Sequence, residues 1–186
     1  MAMCFREKDR GAAQSGPRSL LGKPTAMLAA ACCVAALCWW LGQTVLVVRS
    51  EGGVARSWRV ATGTHWQLQY THSVEKTPVE ECFTVVAPGK LVLYATRYRS
   101  YCVGLPSLPG DGVFVQHDGY FELKMDRAFQ QVKFRAGLEA RPELLINGNL
   151  EPLYQHYQPG SLMVFTVEKR WRYYWSWMME KRRGQI

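Results

Sequence analysis

With 186 residues and a formal net charge of +8, the chain is long enough for one domain of ordinary size with its own core. The charge is concentrated at the ends, with +3 in residues 1–24 and +4 in residues 168–186, which leaves +1 for everything between. A nucleic-acid-binding face needs Lys and Arg clustered on the folded surface. This distribution argues against nucleic acid as a partner and is typical of a membrane protein with basic flanks.

An apolar run follows the basic leader of residues 1–24. Residues 25–48 contain no charged side chain, and about 20 residues are enough to cross a bilayer as a helix. The run is too long for the apolar region of a signal peptide, and the positive-inside rule places the leader in the cytoplasm. The sequence therefore predicts a single-pass anchor in the cytoplasmic (inner) membrane, with the N-terminus inside and an extracytoplasmic domain over residues 49–168.

Beyond the anchor, apolar side chains recur at every second residue, which is the period of half-buried strands. An Asn-Gly pair at residues 147–148 is a strong signal for a tight hairpin. The predicted strands cover residues 66–71, 79–86, 91–98, 120–125, 144–146 with Leu150 beyond the Asn-Gly turn, and 162–168. An all-β class follows: a small sandwich or partly open barrel of antiparallel strands, preceded by one N-terminal transmembrane helix.

The strands at 79–86 and 91–98 are separated by a short turn that contains Pro and Gly, and they predict a hairpin. If this turn pairs Val86 with Leu91, then Glu80 lies opposite Arg97. Opposite charges that face each other across two strands stabilise the pair by some tenths of a kcal/mol. Glu80 is therefore predicted to have a structural role.

The last segment, residues 169–186, has a different pattern. Trp171, Tyr174, Trp175 and Met178 fall at helical spacing among basic side chains. Aromatic residues mixed with Lys and Arg are typical of a helix at a membrane surface. The alternatives are that this tail docks on the β domain or frays.

Two cysteines, Cys82 and Cys102, fall in the domain predicted to lie outside the cytoplasm. An oxidising compartment permits a disulfide between them. The alternative is that both are free and buried, as many cysteines of β domains are.

The stretch from Tyr70 to Glu81 carries most of the polar chemistry. A Ser-His-acid arrangement of Ser73 and His72 is disfavoured because adjacent residues of a strand point to opposite faces. The other hypothesis for catalysis is a metal site formed by His72 and the glutamates, although the spacing of these residues matches no known ligand motif. Its candidate ligands are His72, Glu75, Glu80 and Glu81, with His117 or His156. No complete catalytic motif is present, and no cofactor is predicted.

The residues Tyr70-Thr-His-Ser-Val-Glu-Lys-Thr-Pro-Val-Glu-Glu81, followed by Thr96-Arg-Tyr-Arg-Ser-Tyr101 and Gly104-Leu-Pro106, resemble the signature of the domain of unknown function 1850 family. The resemblance covers roughly residues 49–169. It implies an exported, membrane-anchored protein with a small β-rich domain, found beside TRAP transporter permeases of the TAXI type. Because no activity is established for the family, the resemblance implies no catalytic residue.

The predicted function is that of a membrane-anchored accessory protein of a TRAP (TAXI-type) solute uptake system, acting as a binding or interaction module. The alternative is a metal-dependent or hydrolytic enzyme that uses His72 and nearby glutamates. The predicted partners are a TRAP-type permease or its solute-binding protein, and membrane lipid through residues 25–48 and 169–186. The predicted contact residues are Tyr70, His72, Ser73, Glu75, Thr77, Pro78, Glu81, Arg97, Ser100, Tyr101, Gly104, Leu105 and Pro106.

Overall fold

A computed structural model of the protein describes residues 22–51, 55–99, 112–135, 137 and 139–182. The helices in this part of the chain are α1 (Gly22–Leu41) and α2 (Arg170–Arg182). The strands in the same part are β1 (Thr44–Ser50), β2 (Ala55–Val60), β3 (His65–Thr71), β4 (Pro78–Ala87), β5 (Lys90–Tyr98), β6 (Val113–His117), β7 (Tyr120–Phe129), β8 (Gln131–Arg135), β9 (Glu143–Ile146), β10 (Asn149–Pro152) and β11 (Leu162–Lys169).

The strands of the described residues form two open antiparallel sheets. A four-stranded sheet has the order β2-β1-β11-β8, and a seven-stranded sheet has the order β10-β9-β3-β4-β5-β7-β6. Each sheet has two edge strands, and one apolar core cluster takes side chains from both. The predicted all-β class is confirmed, and of the two predicted architectures the sandwich is the one observed.

Trp66 on β3 is the central side chain of this core. Its ring stacks on Phe83 at 4.3 Å between centroids and, across the sandwich, on Phe165 of β11 at 5.5 Å. Alternation along the strands places these residues inward, because successive side chains of a strand point to opposite faces. The two sheets are therefore joined by a stack of aromatic rings.

The predicted transmembrane helix over residues 25–48 is not what the structure shows. α1 ends at Leu41, where the Gly42 N–H donates to the Cys38 carbonyl, and the apolar run continues as β1. Val45–Val48 are fully buried in the four-stranded sheet. Within the described residues, no helix has the length and apolar character required to span a bilayer.

The chain divides into two compact units, residues 1–37 and residues 38–186. The first contains most of α1, whose described side chains after Thr25 are apolar and exposed, with Met27 at 75% and Leu28 at 68% of full exposure. The second contains the sandwich and α2. The predicted helical spacing in the tail is confirmed by α2.

The β9–β10 hairpin forms at the predicted Asn-Gly pair. Asn147 and Gly148 have φ values of 51° and 77°, and positive φ at both central residues is what a type I′ turn requires. The β4–β5 hairpin also forms as predicted, with Glu80 opposite Arg97. This register carries the candidate site.

Candidate functional site

The stretch from Tyr70 to Glu81 forms the end of β3, a turn, and the start of β4. The His72 N–H donates to the Thr77 carbonyl at 2.9 Å, and the Lys76 N–H donates to the His72 carbonyl at 3.0 Å. Lys76 has a φ of 53°, a left-handed conformation that closes the turn. The polar cluster seen in the sequence is therefore a turn stabilised by its own backbone.

The His72 ring belongs to this turn. Its Nδ1 atom accepts from the N–H groups of Val74 and Glu75 at 3.3 and 3.4 Å. Ser73 is exposed and makes no hydrogen bond with any described residue. The His72–Ser73 pair needed for hydrolysis is therefore not assembled here.

A cluster of charged side chains lies on the outer face of the seven-stranded sheet, away from the core. Register places Glu80, Arg97 and Glu122 in one row across β4, β5 and β7. Arg97 Nε donates to Glu122 Oε1 at 2.8 Å, while Arg97 Nη1 lies 3.7 Å from Glu80 Oε2. His117 Nε2 and Lys124 Nζ approach Glu122 Oε2 at 3.4 and 3.7 Å. We call these five residues the Arg97 cluster.

Glu122 is the buried centre of the Arg97 cluster, with 8% of its side chain exposed. Burial disfavours its ionised form, but the hydrogen bond from Arg97, the Arg97 charge and the contacts with His117 and Lys124 together lower the pKa of Glu122 below its ordinary value. The hydrogen bond to Glu122 raises the pKa of Arg97 in turn. The pair is therefore ionised at neutral pH.

Cys82 lies on the same face, two residues after Glu80 on β4. It is fully buried, and burial raises the pKa of its thiol to about 11. A thiol with such a pKa is almost entirely protonated at neutral pH and is a poor nucleophile. Its predicted partner, Cys102, lies outside the described residues, so the disulfide stays a prediction.

A pocket of about 490 Å³ opens beside the Arg97 cluster. It is formed by the start of β4, the end of β5 and the β6–β7 turn. Arg99 and Asp118 are exposed on its rim. Neither of these two makes an ion pair with any described residue. The pocket is lined by Pro78, Glu80, Arg97, Tyr98, Arg99, Asp118, Gly119 and Tyr120.

Glu81 points the other way, toward the interior of the sandwich, because it is the register partner of the core residue Leu68. The hydroxyl of Tyr70 donates to Glu81 Oε1 at 3.2 Å. Burial raises the pKa of Glu81, and the Tyr70 hydrogen bond only partly opposes this shift. Glu81 and Tyr70 therefore form an interior polar pair that is separate from the outer face.

We expect Glu81→Gln to stabilise the protein at neutral pH, on the order of 1 kcal/mol. Because the folded-state pKa of Glu81 is raised, the stability contributed by its protonated form is complete below the unfolded pKa of about 4.3 and is lost as pH rises through the folded pKa. The gain from the neutral amide should therefore grow as pH increases above about 4.3. Urea unfolding from pH 4 to pH 8 measures it, and a gain that does not change with pH would contradict this account.

The predicted contact residues thus separate into three places. Arg97 and Pro78 line the outer pocket, Tyr70 and Glu81 pair in the interior, and the turn takes His72, Ser73, Glu75 and Thr77. The remaining predicted positions, Ser100, Tyr101, Gly104, Leu105 and Pro106, lie outside the described residues. The stretch is therefore not one continuous site.

Sequence reasoning missed the partner that Arg97 uses most closely, Glu122, and the neighbouring Lys124, Asp118 and Tyr120. The strand at 120–125 was predicted, and its alternation separates Glu122 from the apolar Phe121 and Leu123, so a signal was present. The sequence contained no signal that β5 pairs with β7, which follows it beyond residues 99–119. His117 was considered only as a metal ligand.

No group of three or more metal-ligating side chains is found in the described parts of the chain. The metal site predicted as an alternative would draw on His72, Glu75, Glu80 and Glu81, with His117 or His156. Glu80 and Glu81 lie on opposite faces of β4, and Nδ1 of His72 accepts hydrogen bonds from its own turn. The described geometry does not assemble these ligands.

Comparison with known proteins gives one match. No curated protein and no solved structure is significantly similar to the chain. Residues 66–153 match the family described as Domain of unknown function (DUF1850). The match begins at Trp66 and contains the turn, the Arg97 cluster and the outer pocket, and it confirms the resemblance seen in the sequence over a shorter span. Residues 66–153 of the chain therefore carry the DUF1850 domain.

Proposed function

We propose that this protein is an accessory interaction module of a TRAP-type (TAXI) solute uptake system, held at the outer surface of the cytoplasmic membrane. The observation that carries the proposal is the location of the Arg97 cluster and its pocket within the family segment. Charged side chains are gathered there at one end of one sheet face, and the rim carries Arg99 and Asp118 without ion-pair partners among the described residues.

The Arg97 cluster suits recognition because its own charges are already paired. Arg97 is fixed between Glu80 and Glu122, and His117 and Lys124 complete the shell of Glu122. Side chains held in one geometry lose little conformational freedom on binding. The cluster therefore forms a rigid base beside two exposed charges of opposite sign.

A complementary pair of charges on a partner would fit this rim. Electrostatic complementarity contributes chiefly to specificity and to the rate of association. The family resemblance suggests the partner, which is a TRAP-type permease or its solute-binding protein. The exposed apolar side chains of α1 support a membrane location, because a helix that is apolar on all sides normally lies in a core or in lipid.

The test is to capture the tagged full-length chain from detergent-solubilised membranes of the source cells and to quantify the TRAP permease and solute-binding protein by mass spectrometry. We expect the double reversal Arg99→Glu with Asp118→Lys to reduce recovery of the partner at least tenfold. Both side chains are exposed, so the fold should be unaffected.

A matched control is Lys90→Glu, which reverses an equally exposed charge at the other end of β5, nine residues and roughly 30 Å from Arg99. Lys90→Glu should recover the partner as well as the native chain does. Equal loss in both variants, or no TRAP component with the native chain, would contradict the proposal.

A further inference from the structure

α2 lies against the four-stranded sheet with its polar side inward. Arg49 of β1 donates from Nη2 to the Ser176 hydroxyl at 3.0 Å, and its guanidinium lies 6.0 Å from the centroid of the Tyr173 ring. Tyr173, Ser176 and Glu180 are the part-buried side chains between Trp171 and Arg182, and they are spaced by three and four residues. At 3.6 residues per turn they form one stripe, so the helix contacts the sheet through hydrogen-bonding groups.

The opposite side of α2 is apolar and exposed. At 100° per residue, Trp171, Trp175 and Met178 project roughly 180° away from the inward stripe, and they are 47%, 60% and 47% exposed. Helices on soluble domains normally bury their apolar side and expose the polar one. α2 is reversed in this respect, which is expected when its exposed side faces a medium other than water.

Cations accompany these aromatic rings. Lys181 Nζ lies 5.3 Å from the centroid of Trp177, and the Arg172 guanidinium lies 5.3 Å from that of Trp171. The helix has four basic residues and one acidic residue. Interleaved Trp, Arg and Lys match the headgroup level of a bilayer, where aromatic rings lie at the boundary and cations meet anionic lipid.

The last turn of α1 joins the same surface. Trp40 stacks on Tyr174 with 5.3 Å between ring centroids, and the Arg170 guanidinium lies 4.7 Å from the Trp40 centroid. The Arg170 N–H donates to the Gln43 carbonyl at 2.8 Å, which fixes the start of α2 to the end of α1. Trp39 carries a cation too, with the Arg59 guanidinium 5.6 Å from its centroid.

Two depressions border this surface, and each is lined by a tryptophan and an arginine. One, of about 700 Å³, is lined by Trp171 and Arg172, and the other, of about 740 Å³, by Trp39 and Arg59. Both have mixed polar and apolar walls, as a headgroup with its first acyl carbons requires.

We propose that Trp39, Trp40 and the exposed side of α2 form a lipid-binding surface, here called the aromatic seat, that rests at the headgroup level of a membrane containing anionic lipid. The occupant is a bilayer surface because the aromatic ridge is accompanied by cations throughout, whereas a protein-binding apolar groove is depleted of charge at its centre. The aromatic seat does not depend on the Arg97 pocket or on any partner protein.

Site-specific photocrosslinking tests the aromatic seat in the full-length chain. Trp175→p-benzoylphenylalanine puts a photoreactive group on the exposed ridge, and Tyr154→p-benzoylphenylalanine puts the same group at an exposed site of the sandwich outside the seat. The variants are reconstituted with vesicles of phosphatidylcholine alone or mixed with phosphatidylglycerol, illuminated, and analysed by mass spectrometry. We expect lipid adducts at position 175, enriched in phosphatidylglycerol vesicles, and none at position 154.

Two outcomes would overturn the proposal. One is that position 175 forms no lipid adduct with vesicles of either composition. The other is that, when whole membranes are illuminated, position 175 crosslinks to protein and not to lipid.

The role of charge is tested by adding Arg172→Gln or Lys181→Gln to the variant with the photoreactive group at position 175. Each removed cation should lower the yield of lipid adduct in phosphatidylglycerol vesicles by about fivefold. An unchanged yield would contradict the proposed preference for anionic lipid. Circular dichroism is the control that the variants keep their helical content.

Discussion

Trp66→Ala is expected to lower the free energy of unfolding by about 4 kcal/mol, the largest effect of any single change considered for this protein. The Trp66 side chain is 1% exposed and is stacked between Phe83 and Phe165, so its removal leaves a cavity at the contact between the two sheets. Urea unfolding of the full chain in detergent micelles, followed by far-ultraviolet circular dichroism, measures the loss.

Trp66→Phe is the matched control for this change. The Trp66 indole N–H is buried and has no hydrogen-bond partner among the residues that the structure describes, and leaving such a donor unpaired costs about 1–3 kcal/mol. Phe keeps the stacked ring and removes the unpaired group, so we expect a net loss of about 1 kcal/mol or less. If Phe proved as destabilising as Ala, the aromatic stack would not be what joins the sheets.

Glu122→Gln is expected to destabilise the protein by about 2 kcal/mol at pH 7. The amide keeps the shape of the carboxylate but removes the charge that faces Arg97, His117 and Lys124. The loss falls below that of a fully buried pair because the Arg97 side chain is 34% exposed and keeps contact with water. Glu80→Gln is the control, since its partly exposed, 3.7 Å contact with Arg97 should contribute only about 0.5 kcal/mol.

The effect of Glu122→Gln should depend on pH in a defined direction. The folded-state pKa of Glu122 is lowered, so the stability it contributes is present above the unfolded pKa of about 4.3 and is lost as pH falls through the folded pKa. The difference between native and variant proteins should therefore shrink below about pH 4. A difference that stays constant from pH 7 down to pH 3 would show that the Glu122 charge is not involved.

The β4–β5 hairpin shows what local pattern can predict. Counting back from the turn correctly placed Glu80 opposite Arg97, although the assumed Val86–Leu91 pair is wrong. The structure pairs Val85 with Leu91, and two register shifts of opposite sense, one on each strand, restore the register before Glu80. Bulges of this kind follow from packing and twist, which are properties of the whole sheet, so the sequence contained no local signal for them.

The apolar run at 25–48 shows where the same reasoning fails. β1 is covered on its inner face by the core and on its outer face by α2, so Val45, Leu46, Val47 and Val48 are all buried. A strand buried on both faces has a continuous apolar sequence, as a membrane segment does. Only the tertiary pairing of β1 with β11, more than a hundred residues later, separates the two interpretations.

Only part of the candidate site was predicted, because the remaining residues reach it through long-range strand pairing. The turn residues are contiguous in sequence, and Arg97 lies in the hairpin formed by β4 and β5. The local pattern and the family resemblance therefore both identified them. His117 ends β6, Asp118 lies in the β6–β7 turn and Glu122 lies on β7. All three reach the site through the pairing of β7 with β5 and with β6. Long-range pairing of this kind leaves little trace in a single sequence.

The ends of the sandwich have a topological consequence. Thr44 at the start of β1 and Lys169 at the end of β11 are register partners on adjacent strands, and such partners lie only about 5 Å apart between Cα atoms. The polypeptide therefore enters and leaves the fold at a single point. A domain with adjoining ends can be inserted within a longer chain without separating the segments on either side. In this sense, the two ends of the sandwich share one corner of the four-stranded sheet.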